Sequence, residues 1–179
     1  MSRIPALTLA QVDPATAITL TAVKSKLGRI PNAIATLAQA PAALNSYLAM
    51  SEALSKGRLS ARQTQIIALA VGQANSCQYC LSAHTLMGKA AGLSGEEILA
   101  ARAGHATAAA DDALAAFAVK VVEQRGVLSN EEVDAARAAG LDDGLIIETI
   151  ASVVFNILTN YTNHIAATDV DFPAVATAL

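Results

Sequence analysis

Ile66-Ile67-Ala68-Leu69-Ala70-Val71-Gly72-Gln73-Ala74-Asn75-Ser76-Cys77-Gln78-Tyr79-Cys80-Leu81-Ser82-Ala83-His84 holds both cysteines of the chain and one of its three histidines. Its apolar start reads as a helix from Ile66 to about Asn75, and Ala74-Asn75-Ser76 reads as a turn and cap. A second helix then covers about Cys77 to Ala91, with Gly92 as its stop. Cys-x-x-Cys at a helix start can bring two sulfurs within disulfide reach. There the backbone N–H groups and the macrodipole favour thiolate over thiol. His84 follows Cys80 by four residues and Cys77 by seven. Both intervals are helical repeats, so all three side chains are predicted on one face. An imidazole one turn from Cys80 can take its proton.

Three readings of these residues compete. The first is a redox thiol pair. The second is a zinc or iron site, although no second Cys-x-x-Cys or His-x-x-x-His supplies the fourth ligand of a structural zinc. The third is two buried cysteines beside a satisfied core histidine. Two cysteines so close in sequence cannot staple distant segments, which favours catalysis or metal binding over a secreted-type disulfide framework.

Helix punctuation continues on both sides. Asp13-Pro14 opens a segment that stops at Gly28, with proline at the first helical position and glycine past the end. Pro31-Asn32 starts a short helix that Pro41 interrupts, and Pro41 opens another that closes at Gly57. Ser60 with Gln63, Ser94 with Glu97 and Ser129 with Glu132 have capping-box spacing. Further helices are expected from about Asp111 to Gly126, up to Gly140, and from Asp143 to Ala167. No segment reads as a strand. The fold class is therefore all-α: one helical domain over residues 1–179, with eight or nine helices and an extended tail from Asp169 to Leu179. The two segments Leu93-Ser94-Gly95-Glu96-Glu97-Ile98 and Leu128-Ser129-Asn130-Glu131-Glu132-Val133 echo one another. A weaker echo pairs the segment ending in His84 with that ending in His164. An ancient helix-pair duplication and mere likeness of capping boxes both explain these echoes.

Composition agrees. Apolar residues make up 54% of the 179-residue chain and aromatics 3%, which favours close-packed helices over sheets. The net charge of −3 comes without a basic cluster, so nucleic acid is not an expected partner. The N-terminus shows no signal-peptide pattern and the apolar runs are short for a bilayer, so a cytoplasmic protein with no membrane partner is expected.

Leu59-Ser60-Ala61-Arg62, Ile66 to Val71 and Asn75 to His84 together resemble the signature of the alkylhydroperoxidase D-like group within the carboxymuconolactone decarboxylase family. Gly28-Arg29-Ile30-Pro31-Asn32, Asn160-Tyr161-Thr162-Asn163-His164 and Asp171-Phe172-Pro173 are similar to flanking segments of its peroxidase-related members. The resemblance implies an all-helical homo-oligomer, trimer or hexamer, that reduces alkyl hydroperoxides or passes electrons to a peroxiredoxin. It implies that Cys80 is the peroxidatic thiol, Cys77 the resolving thiol, and His84 part of the proton relay. A lipoyl or thioredoxin-like dithiol would reset the pair, with no bound cofactor and no metal. The relay of that family includes a glutamate about three helical turns before the first cysteine, where this chain has Gln65. Gln65 can orient an imidazole but cannot take its proton. Slower peroxide turnover than in relatives with glutamate is expected, with disulfide exchange retained.

Other residues carry weaker signals. Glu52 is the nearest upstream acid, but a solvated charge explains it more simply. Tyr79 reads as pocket wall. Asn156, Asn160, Asn163 and His164 are expected to form one polar stripe on the last helix, as a buried network or subunit contact. His105 is expected to be exposed. A cofactor-free lactone decarboxylase, using Arg29, Arg58 or Arg62 to hold an acid, is one alternative function. A non-peroxidatic disulfide reductase or redox sensor is another.

Overall fold

The computed structural model describes residues 2–179, and among these it is all-helical, with no strand. After one 3-10 turn at Leu9–Gln11, nine α-helices follow: α1 (Pro14–Leu27), α2 (Asn32–Leu37), α3 (Pro41–Leu54), α4 (Ala61–Ala74), α5 (Gln78–Ala90), α6 (Gly95–Arg102), α7 (Ala109–Glu123), α8 (Asn130–Ala138) and α9 (Asp143–Ala166).

The boundaries follow local chemistry. Asp13 accepts from the backbone N–H groups of Ala15 and Thr16, Pro14 fills the first turn, and Gly28 ends α1 at φ 76°. All three predicted capping boxes form. The box at Ser60 also moves the start of α4 forward: the helix begins at Ala61, not Ile66, because Gln63 already lies in its first turn.

α4 is the axis of the molecule and packs against α5, α6, α7 and α9. Ile66 through Gly72 are all buried, as an unbroken apolar run requires when neighbours surround the helix. On one side Ile67 and Val71 join Leu114, Phe117, Leu141 and Val153. On the other, Ile66 and Leu69 join Leu81, Leu93 and Ile98. A separate cluster of Leu20, Val23, Ile34, Leu37 and Leu44 holds α1, α2 and α3 together.

α9 is long and apolar enough, by length and composition alone, to cross a membrane, which the short apolar runs of the sequence did not suggest. Its inner face is polar, with Thr149, Ser152, Asn156, Asn160 and Asn163 all buried. Such a face fits a helix packed within a bundle. Ile147, Val154, Leu158, Tyr161 and Ile165 form an uncovered apolar row on its outside.

The tail from Asp169 to Leu179 has no regular structure, as expected, but it is firmly seated rather than loosely laid on the surface. Arg102, only 7% exposed, donates to the carbonyls of Ala176 and Ala178, and Gln73 donates to that of Thr177.

Candidate active site around Cys80

The turn between α4 and α5 sets the position of the cysteines. Asn75 closes α4, Ser76 adopts a left-handed conformation at φ 53°, and the Cys77 N–H bonds back to the Gly72 carbonyl at 2.8 Å. This is the hydrogen-bond pattern of a Schellman stop, with serine where glycine is usual. Asn75 Nδ2 ties the turn to α9 by donating to Asn160 Oδ1 at 2.9 Å.

Cys77 and Cys80 form a disulfide, with Cα atoms 5.3 Å apart. Cys77 is not a helical residue, which corrects the expectation of one shared face. It is the N-cap of α5, and its sulfur accepts from the Cys80 N–H at 3.3 Å. Cys80 and His84 do share a face, and both border a cavity of about 110 Å³. Pro31, Ile34, Tyr47, Tyr79, Met87 and Phe172 supply most of its apolar wall. Cys77 instead borders a separate depression with Ser76, Gln78 and His164. A larger cleft of about 360 Å³ between α7 and α8 is lined mainly by alanines and holds neither cysteine nor histidine.

Gln65 Oε1 lies 2.9 Å from His84 Nδ1, close enough to orient the imidazole. A carbonyl oxygen there requires the proton on Nδ1, leaving Nε2 as the basic nitrogen. Burial pushes the imidazole down from 6.5 to about 4, so it is neutral at pH 7. His84 as a residue is half-buried and borders the cavity.

That shift has a consequence for stability. Between pH 4 and 6.5 the unfolded chain holds a proton that folded His84 rejects. The contribution is therefore complete above the unfolded value of 6.5 and is lost as the pH falls toward 4. Its upper bound is about 3 kcal/mol, reduced by the partial exposure of the residue. Urea titrations from about pH 7 down to about pH 4.5 are expected to show this loss, and His84→Gln to remove most of it. Equal pH slopes in the two proteins would contradict the assignment.

The tail closes the site. Val170 and Phe172 pack on Cys77, Tyr79 and Cys80, leaving the cysteines 0% and 3% exposed. The Tyr79 hydroxyl donates to Asp171 at 2.7 Å and accepts from the Ala33 N–H at 3.1 Å. Burial first, and the Asp171 carboxylate second, hold that hydroxyl protonated against the opposing effect of the Ala33 N–H. Asp171 also accepts from the Asn32 N–H and pairs with Arg29, whose guanidinium lies 4.2 Å from the centre of the Phe172 ring. Tyr79 is thus wall and latch.

The remaining predicted residues lie elsewhere. Glu52 is solvent-exposed, paired with Lys56, and does not border the Cys80 cavity. Arg58 is engaged by Asp142, and Arg62 by Glu97 and Asp111. His105 is exposed, as expected, beside Asp112. His164 is also exposed and departs from the buried stripe, because 164 lies a quarter-turn away from the face of 156, 160 and 163. Sequence reasoning missed the contact of Asn163, whose Nδ2 lies 3.4 Å from Cys80 Sγ. The available signal was an asparagine at helical spacing from Asn156 and Asn160 within an apolar helix.

Residues 41–124 match the model of the Carboxymuconolactone decarboxylase family. No curated protein matches the chain. Among solved structures, the alkylhydroperoxidase AhpD core of a peroxidase-related protein from Ralstonia eutropha JMP134 superposes with a TM-score of 0.84. The two are 24% identical over 95% of this chain and 92% of that one. A peroxidase-related protein from Silicibacter sp. TM1040 gives 0.80 at 23% identity, over 93% and 92% of the two chains. The debrominase Bmp8, solved in complex with 2,3,4-tribromopyrrole, gives 0.78 at 18% identity over 96% and 92%. Residues 41–124 are thus similar to the carboxymuconolactone decarboxylase family, and the helices take the alkylhydroperoxidase D-like fold.

Proposed function

We propose that the protein is an antioxidant thiol oxidoreductase that reduces organic hydroperoxides through a Cys77/Cys80 dithiol–disulfide cycle. The observation that carries this reading is the seating of Cys80 in an apolar cavity with the neutral His84 imidazole, while Cys77 lies within disulfide reach. The likeness to two peroxidase-related bacterial proteins supports it.

His84 takes the Cys80 thiol proton, and the thiolate attacks the outer oxygen of the hydroperoxide. A sulfur–oxygen bond forms as the oxygen–oxygen bond breaks, and the departing alkoxide takes the proton from His84. Cys80 is left as sulfenic acid. The Cys77 thiol then condenses with it, releasing water and forming the disulfide. A lipoyl or thioredoxin-like dithiol resets the pair by exchange.

The lactone-decarboxylating reading lacks a cation to hold its substrate acid. Arg29, Arg58 and Arg62 are all paired with carboxylates, and none borders the Cys80 cavity. A debrominating reading has one observation in its favour: Tyr47, Tyr79 and Phe172 give the Cys80 cavity aromatic walls suited to a flat halogenated ring.

The test is turnover with an organic hydroperoxide and dihydrolipoamide. One dithiol oxidised per hydroperoxide consumed supports the reading, and no consumption above the protein-free rate overturns it. Bromide release from a bromopyrrole without peroxide consumption would favour the debrominating alternative.

A further inference from the structure

Asn163 enters the Cys80 cavity from α9, across from the cysteine-bearing helix. It is 5% exposed, its Nδ2 lies 3.4 Å from Cys80 Sγ, and its Oδ1 is buried with no hydrogen-bond partner. Asn156 donates to the Ser152 carbonyl and Asn160 accepts from Asn75; Asn160 Nδ2 is also buried without a partner, but of the three only Asn163 borders the Cys80 cavity. We propose that Asn163 is a further catalytic residue, whose amide N–H stabilises the Cys80 thiolate and whose unpaired Oδ1 accepts the O–H of the entering hydroperoxide. The second role rests on the hydroperoxide reading; the first concerns the Cys80 thiolate in any reaction of the pair.

A thiol or disulfide sulfur accepts weakly, whereas a thiolate gains much from a donor, so the amide lowers the thiol pKa. The cavity wall is mostly apolar, which strengthens the effect. The amide also resolves a conflict between the two sulfurs. The N-terminus of α5 serves Cys77, whose sulfur takes the Cys80 N–H. Helix electrostatics alone would therefore make Cys77 the more acidic thiol. Asn163 supplies a donor to Cys80 instead, the sulfur that shares a cavity with His84.

The free Oδ1 completes the arrangement. A buried acceptor without a partner calls for a ligand or water to fill it. Accepting the hydroperoxide O–H there leaves that proton on the outer oxygen, which becomes the sulfenic hydroxyl. The inner oxygen departs with the bonding electron pair and takes the proton held by His84.

The experiment compares Asn163 with Asn163→Ala and Asn163→Leu in a Cys77→Ser background, where Cys80 is the sole thiol. Leucine preserves the side-chain volume, so a fold lost through an empty cavity is separable from a lost donor. Cys80 ionisation is followed by thiolate ultraviolet absorbance and by alkylation rate against pH, with circular dichroism as the check on folding. Both variants are expected to raise the Cys80 pKa by about one unit, a tenfold change in thiolate fraction. A pKa unchanged in the folded variants overturns the proposal. At high pH, where the thiol is fully ionised, the variants are expected to react with hydroperoxide about tenfold more slowly than the parent. Equal rates there overturn the role of Oδ1. If the parent ignores hydroperoxide but the pKa still moves, the hydroperoxide reading and the role of Oδ1 both fail, and the thiolate assignment stands.

Discussion

Cys80→Ser is expected to reduce reaction with hydroperoxide to the protein-free rate, whereas Cys77→Ser should still consume one equivalent and then stop. Cys80 shares its cavity with His84 and accepts from Asn163, whereas Cys77 caps the helix and borders a different depression. Cys80 therefore has a neutral base one helical turn away and an apolar cavity for an organic substrate, whereas Cys77 is fully buried and faces only the exposed His164. In Cys77→Ser the sulfenic acid has no resolving thiol, so it should persist and be trapped by a dimedone reagent. Mass spectrometry of the trapped adduct checks this. An adduct on Cys77 in Cys80→Ser, with none in Cys77→Ser, would reverse the assignment.

Gln65→Glu should accelerate the same step at neutral pH, by about ten- to a hundredfold. Burial lowers His84 to about 4, too low for an efficient base at pH 7, and the neutral Gln65 amide supplies no charge to offset it. A carboxylate in the same position stabilises the imidazolium and raises that value. The carboxylate is accommodated because Gln65 also borders a cleft of about 270 Å³ with Ser51, Ser55, Thr64 and Ser152, where hydroxyls and solvent can hydrate it. Single-turnover rates across the pH range would show the acid limb of the profile moving up with the His84 pKa. A profile identical to that of the parent protein would remove His84 from the proton path.

Much of this was legible in the sequence because it depends on near neighbours. The caps at Asp13, Ser60, Ser94 and Ser129, and the stop at Gly28, mark helix ends through bonds spanning two to four residues. The pairing of Cys80 with His84 needs only the helical repeat. The contact of Gln65 with His84 could be anticipated as well, since α4 and α5 are consecutive helices joined by a tight turn.

What escaped depends on distant segments. Asn163 meets Cys80 across 83 positions of sequence, and Tyr79 meets Asp171 across 92. No local pattern reports such contacts, and resemblance marked these flanks without giving them a task. Cys77 shows a different limit. A spacing of seven implies one face only if both residues are helical, and the left-handed Ser76 starts the helix one residue too late for that.

Cys80 and Cys77 together are proposed to carry a two-electron reduction. Reduced protein should be mixed with one equivalent of organic hydroperoxide while peroxide, free thiols and intact mass are followed together. Loss of one peroxide and both thiols is expected, with a mass decrease of two hydrogens that Cys80→Ser does not show. Thiols left intact while peroxide persists would contradict it.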